Sequence, residues 1–249
     1  MPKVVISIGH GANTFEDKHS KGVIVNGKAY EEHTFNANIG TRLDKILKEH
    51  GVTTLLVQEP WGIDVPLSTR TSKANAWGAD IYWSIHANAG AASARGLAAF
   101  HYQGSKGGLK LAQLYSKYCK EESFPAYSGD YMYESQKGTW SDFHELRETN
   151  MPACLTENGF MTNPEDFKLI FENKDNYHDR LAVVHAKTIL EYLGIVYKEV
   201  KPVTKVDTVV DDGKRYRLRT GTFSTRGEAE RMAAQLKANY GWTVYIDEE

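Results

Sequence analysis

The sequence predicts an α/β fold: a mostly parallel sheet flanked by helices on both faces, followed by a small C-terminal β-α-β module. Three observations lead there. Short β-branched runs alternate with segments of helical period up to residue 193, the pattern of parallel strands joined by covering helices. After Gly194 the chain becomes polar and charged, and then carries one brief strand–helix–strand pattern. Its 249 residues, 41% apolar and 25% charged, suit one large globular domain plus a small module.

Each element follows from local pattern. Residues 4–8 are short, β-branched and closed by Gly9, hence a buried first strand. Residues 11–28 are polar and contain glycine, so a long loop is expected. From 32 to 49, helical spacing puts Phe35, Ile39, Leu43, Ile46 and Leu47 on one face, and Gly51 stops the helix. Residues 52–57 form a second strand. Residues 66–77 suit a short helix with Pro66 at its start and Gly78 just past its end. A third strand, 81–85, ends at His86 and gives way to a small polar loop, 87–95. Residues 96–102 read as a fourth strand. In 109–119, Leu111, Leu114, Tyr115 and Tyr118 mark an amphipathic helix.

Residues 123–150 show no clear period, and their Tyr127, Tyr131, Tyr133, Trp140 and Phe143 are expected mostly to pack the loop rather than shape a groove. Residues 153–155 form a short strand running into Glu157. Asn163-Pro164-Glu165-Asp166 is a helix start, with an asparagine cap, proline at the first position and acids in the first turn. A long helix, 177–193, closes the first domain, set at 1–197. Residues 198–213, with Pro202 and Asp211-Asp212-Gly213, read as a linker. The module at 214–249 comprises a strand at 214–220, a helix at 225–240 and a strand at 242–246. It is too short to bury a sizeable core alone.

Composition excludes several classes. A formal net charge of -2 gives no basic excess for nucleic acid. No run approaches the ~18 apolar residues of a membrane span, so no membrane insertion is expected. Cys119 and Cys154 read as reduced, buried thiols. The apolar N-terminal run is only a strand long and leads straight into Gly9-His10, so it is read as a core strand, not a signal peptide.

Four polar residues stand where strands end or a helix begins: His10, Glu32, His86 and Glu157. The carboxyl ends of parallel strands form one rim, where active sites gather. Two histidines and a carboxylate meeting there give a His₂Glu set that leaves a fourth tetrahedral position for water, as in hydrolytic zinc sites. A further carboxylate then serves as general base. Spacing alone matches no compact metal motif, so hydrogen-bonded loop histidines remain the alternative at this point.

The segments Ile6-Ser7-Ile8-Gly9-His10-Gly11, Glu32-His33-Thr34-Phe35-Asn36, Ser84-Ile85-His86-Ala87-Asn88-Ala89 and Thr156-Glu157-Asn158-Gly159-Phe160-Met161-Thr162-Asn163-Pro164 resemble the signature blocks of the zinc-dependent N-acetylmuramoyl-L-alanine amidases of the Amidase_3 type. Leu67-Ser68-Thr69-Arg70 with Ala74-Asn75 resembles the block that this family carries before its second histidine strand. The resemblance runs over roughly residues 3–194. It implies Zn2+ held by His10, Glu32 and His86, with Glu157 as catalytic acid/base. Asn36, four residues after Glu32, selects that glutamate over Glu31. Asn88 and Arg70, inside these blocks, are read as substrate contacts, and His33 as a bystander or at most a rim residue. The loop carrying Lys18, His19 and Lys21 departs from the family's usual turn.

The tail, with Gly221-Thr222-Phe223-Ser224 and Glu228-Ala229-Glu230, resembles half of a SPOR-type wall-binding repeat or the short wall-binding tails of some phage lysins. The alternative for it is a stabilising or homodimer-forming appendage. The function so implied is hydrolysis of the amide between N-acetylmuramic acid and L-alanine in peptidoglycan, whose glycan strand and stem peptide are the partners. A zinc peptidase of stem peptides and a non-catalytic wall-binding protein are the alternatives. Synthesis in the cytoplasm without an export signal is expected, with action on the wall after membrane breach, as an endolysin or a sporulation autolysin.

Overall fold

A computed structural model of the chain describes residues 1–16, 20–199, 226–227, 229–230, 232–233 and 246. The chain divides into two units, Met1–Val200 and Lys201–Glu249. In the second unit, 226–227, 229–230 and 232–233 are helical. The remainder of the expected 214–249 module, and the expected linker beyond residue 199, lie outside the described residues.

The first unit is built on a six-stranded sheet. Its strands are β1 (Lys3–Ile8), β4 (Thr53–Leu56), β5 (Ile81–Asn88), β6 (Leu97–Tyr102), β7 (Met132–Ser135) and β8 (Ala153–Phe160), in the order β4-β1-β5-β8-β6-β7. The pairs β4–β1, β1–β5, β5–β8 and β6–β7 are parallel, and β6 runs antiparallel to β8. A separate hairpin pairs β2 (Gly22–Val25) with β3 (Lys28–Glu31). The helices are α1 (Glu32–Glu49), α2 (Leu67–Trp77), α3 (Lys106–Glu121), α4 (His144–Arg147), α5 (Pro164–Glu172) and α6 (Tyr177–Tyr192).

The side-chain period of a strand sorts the core onto two faces. Val4, Ile6, Ile8, Trp83, Ile85 and Cys154 point to the side covered by α1, α3 and α6, where Phe35, Leu43, Leu111, Tyr115 and Ile189 meet them. Val5, Tyr82, Ala98, Phe100 and Leu155 point to the other side, against Ala74 of α2 and Leu146 of α4. Cys119 and Cys154 are buried free thiols, and burial raises both above the ordinary thiol range. Among the described residues no helix is long and apolar enough to cross a membrane.

Three local expectations need correction. The stretch expected as a loop over 11–28 contains β2 and the turn of the hairpin, whose second strand continues to Glu31. That turn is Asn26-Gly27, both at positive φ (51° and 76°), the geometry that a two-residue hairpin turn requires. Strand β5 runs on to Asn88, and β8 extends from Ala153 to Phe160 instead of stopping near Leu155. Their polar residues are paired inside the sheet, so polarity did not end the strands. Lastly, 123–150 holds β7 and the single-turn α4. Tyr131 is buried, Tyr133 and Phe143 pack on Phe100, and Trp140 touches Phe100 while remaining 78% exposed.

Candidate metal centre

The carboxyl ends of β1 and β5 and the first residue of α1 converge at one point. His10 follows β1 in a left-handed conformation, φ 61°, which turns the chain sharply off the sheet. That geometry is uncommon outside glycine, though histidine tolerates it better than most. Glu32 opens α1, and its backbone N–H donates to the Lys21 carbonyl at 3.0 Å, which ties the helix start to the hairpin. His86 lies two residues before the end of β5.

The geometry is tight. His10 Nε2 lies 3.1 Å from Glu32 Oε2, and His86 Nδ1 lies 3.1 Å from Glu32 Oε1. The two imidazoles meet edge to face with centroids 4.9 Å apart. One ligand atom from each of the three residues falls within 4.8 Å of the others, a spacing that one ion bridges. Glu32 is held in place: its Oε1 accepts from Asn36 Nδ2 at 3.1 Å and from the Ala87 N–H at 3.1 Å. Asn36 also donates to the Gly9 carbonyl at 3.2 Å.

Glu157 stands beside this cluster because of register. In the parallel β5–β8 pair His86 and Glu157 are direct partners, so both side chains leave the same face of the sheet. Its Oε2 is buried and has no hydrogen-bond partner. Burial pushes the Glu157 carboxyl up to about 8, against the pull of His86. Glu32 goes the other way. Burial opposes its charge, but His10 and His86 hold it well below the usual carboxylate range.

Two expected roles change. Arg70, read as a substrate contact, is buried at 1% exposure with its guanidinium committed to the protein. It donates to the carbonyls of Val65, Ile8 and His10 and to Gln58 and Asp64, all between 2.7 and 3.1 Å. It braces the turn that presents His10 and has no donor facing a substrate. His33 is also a brace, not a rim residue. Its Nε2 accepts from the Trp61 N–H at 3.0 Å, so the protonated Nδ1 donates to the Gly9 carbonyl at 2.9 Å. Asn88 is half-buried at the end of β5, with Oδ1 accepting from the Ala89 N–H at 2.8 Å.

Sequence reasoning missed Glu145. It is 3% exposed and lies on α4, beneath His86. Burial opposes its charge, but His86, Arg70 and Ser7 bring it down to about 2. The signal lay in Ser7 and Ser84. Each interrupts an apolar strand, and the two are direct partners across β1 and β5. Two buried hydroxyls side by side call for a common acceptor.

The donor set fits a metal: two imidazole nitrogens and one carboxylate, the chemistry of catalytic zinc sites with an open position. Glu157 Oε2, buried beside the cluster, lacks a protein partner, as expected of a site built for something more than protein.

Comparison with known proteins adds the following. Residues 4–191 match the family described as N-acetylmuramoyl-L-alanine amidase, Amidase_3, and residues 186–244 match the SPOR domain. N-acetylmuramoyl-L-alanine amidase CwlM of Bacillus licheniformis is 28% identical over 96% of this chain and 82% of its own length. The sporulation-specific N-acetylmuramoyl-L-alanine amidase of Bacillus subtilis (strain 168) gives the same three values. The solved catalytic domain of CwlV, an amidase from Bacillus (Paenibacillus) polymyxa var. colistinus, superposes with a TM-score of 0.64 at 27% identity, covering 79% of this chain and 100% of that one.

Proposed function

The chain belongs to the Amidase_3 family of N-acetylmuramoyl-L-alanine amidases and is a peptidoglycan hydrolase, and on that premise we propose that His10, Glu32 and His86 hold a zinc ion and Glu157 moves the protons of the reaction. The bond cut is the amide joining the lactyl group of N-acetylmuramic acid to L-alanine. The observation that carries this reading is the meeting of two imidazoles and a carboxylate within 4.8 Å, with Glu157 in register beside His86. Zinc bound there supplies a polarised carbonyl and a water acidified to near neutrality.

The chain's own residues do the rest. Glu32 is held by Asn36 and the Ala87 N–H, which fix its carboxylate between the two imidazoles. Glu157 in its ionised form takes a proton from the attacking water and returns it to the leaving nitrogen of alanine, and its raised proton affinity suits it to hold that proton in between. Asn88, at the rim end of β5, remains the proposed substrate contact.

Residues 1–197 act as the catalytic domain, and 214–249, joined through 198–213, bind wall glycan. The SPOR match over 186–244 supports a wall-binding C-terminal part, and the division of the chain between Val200 and Lys201 supports a separate catalytic unit. Pairing of two copies through the module is the competing role, separated by the mass in light scattering. A sporulation-specific amidase of Bacillus subtilis and an endolysin of Bacillus phage SPP1 among the relatives support action on the wall either during sporulation or after membrane breach by a phage.

Digestion of purified walls tests the reading. New free amino groups on L-alanine, with glycan strands intact and activity lost to a chelator, are expected. New amino groups on other stem residues point to a peptidase. Binding to walls without any new ends points to a non-catalytic protein.

A further inference from the structure

We propose that Glu145 is a positioning residue that holds the His86 ring with its proton on Nε2, leaving the Nδ1 lone pair for the metal. The inference rests on the zinc reading of the His10, Glu32 and His86 cluster and extends it to a residue outside that set.

Glu145 is a buried carboxylate from a different helix, and three hydroxyls fix its orientation. Its Oε1 accepts from Ser7 Oγ at 2.5 Å and from the Tyr82 hydroxyl. Its Oε2 accepts from Ser84 Oγ at 2.9 Å. Ser7 comes from β1, and Tyr82 and Ser84 from β5, so the two central strands of the site grip one carboxylate. Arg70 reaches the same group through Ser7, with Nη1 3.3 Å from its Oγ.

The remaining feature is direction. Tyr82, Ser84 and His86 alternate along β5 and project to the same face as Glu145. His86 points Nδ1 at Glu32, 3.1 Å away, and Nε2 at Glu145 Oε2, 3.7 Å away. His86 Nε2 is buried and has no hydrogen-bond partner, so Glu145 is the acceptor available to an Nε2 proton. Neutral imidazole carries one proton. A carboxylate on the Nε2 side favours the tautomer whose free lone pair is on Nδ1, facing the other two ligands. Such a partner to a metal-bound histidine sets ring orientation and raises its basicity, and its removal commonly weakens metal affinity 10–100-fold.

Two measurements test this. In a long-range 1H–15N spectrum of the zinc-loaded wild-type protein, the His86 ring, identified by its loss in His86→Ala, should carry its proton on Nε2. A proton on Nδ1 overturns the proposal without any need for a Glu145 variant. In Glu145→Gln, zinc affinity measured by competition with a chromophoric chelator should fall about 10–100-fold. Wild-type affinity in a folded Glu145→Gln protein also overturns it. A wild-type protein that takes up no zinc defeats the underlying zinc reading instead, so the two failures are distinguishable.

Discussion

Gly9 shows how little room the site leaves around its ligands. A Cβ built on Gly9 would sit 2.6 Å from His86 Cε1 and Nδ1 and 2.6 Å from the Ile85 carbonyl oxygen. One of those atoms is backbone, so the strand itself would have to move. Gly9→Ala should therefore displace the very nitrogen assigned to the metal. Overpacking of this kind costs about 1–3 kcal/mol of stability, and zinc titration should show an affinity loss alongside the lower unfolding midpoint. Unchanged zinc affinity would mean that the ring has space elsewhere. Glu157 makes a cleaner test of chemistry, because it is beside the ligands and not among them. Glu157→Gln should keep its zinc and lose about 10²–10⁴ in turnover, the usual worth of general acid–base catalysis. Turnover near wild type would remove Glu157 from the reaction.

At the scale of elements, the strands carry the site by overshooting their apolar runs. The sequence pattern located the starts of β5 and β8 well, because Ile81 and Ala153 open apolar stretches. It stopped too early because His86, Glu157 and Asn158 are polar and yet lie within the sheet. Asn158 is satisfied there: Nδ2 donates to the His86 carbonyl at 2.9 Å and to Thr156 Oγ1 at 3.0 Å. The hairpin was legible in principle, since Asn26-Gly27 after the β-branched run Val23-Ile24-Val25 is a strong turn signal, and the polar residues around it masked it. Glu145 was far harder to see, because its partners come from strands more than sixty positions away in sequence. Arg70 was misassigned because a signature block marks position and not exposure. The α5 start was read correctly, with Asn163 Oδ1 accepting from the N–H groups of Glu165 and Asp166. Asn163→Ala should cost about 1 kcal/mol in urea unfolding. A change under a few tenths would mean that the cap is redundant with proline at the first position.

Across the whole first unit, α6 is pinned to the sheet beneath the site by a neutral histidine. His185 Nδ1 accepts from Trp83 Nε1 at 2.7 Å, and its Nε2 donates to Asn158 Oδ1 at 3.0 Å. Tyr115 donates to the same oxygen at 2.7 Å. This links α3, α6, β5 and β8 through one buried network, and Asn158 adjoins Glu157. Burial pushes His185 down from 6.5 to about 3. Below about 6.5 the unfolded chain takes up a proton that the folded chain refuses until about 3, so acid favours unfolding in that window. Each pH unit there should cost about 1.4 kcal/mol. His185→Gln should flatten the fall of unfolding free energy between pH 6 and 4 relative to wild type. Parallel curves for the two proteins would show that this histidine is not the group responsible.

The central claim is that residues 10, 32 and 86 bind one zinc ion. Zinc-edge X-ray absorption of the loaded wild-type protein addresses it most directly. The account predicts a first shell of nitrogen and oxygen only, at about 2.0–2.2 Å, with the outer-shell signature of two imidazoles. A sulfur shell near 2.3 Å, or a spectrum with no imidazole contribution, would contradict it.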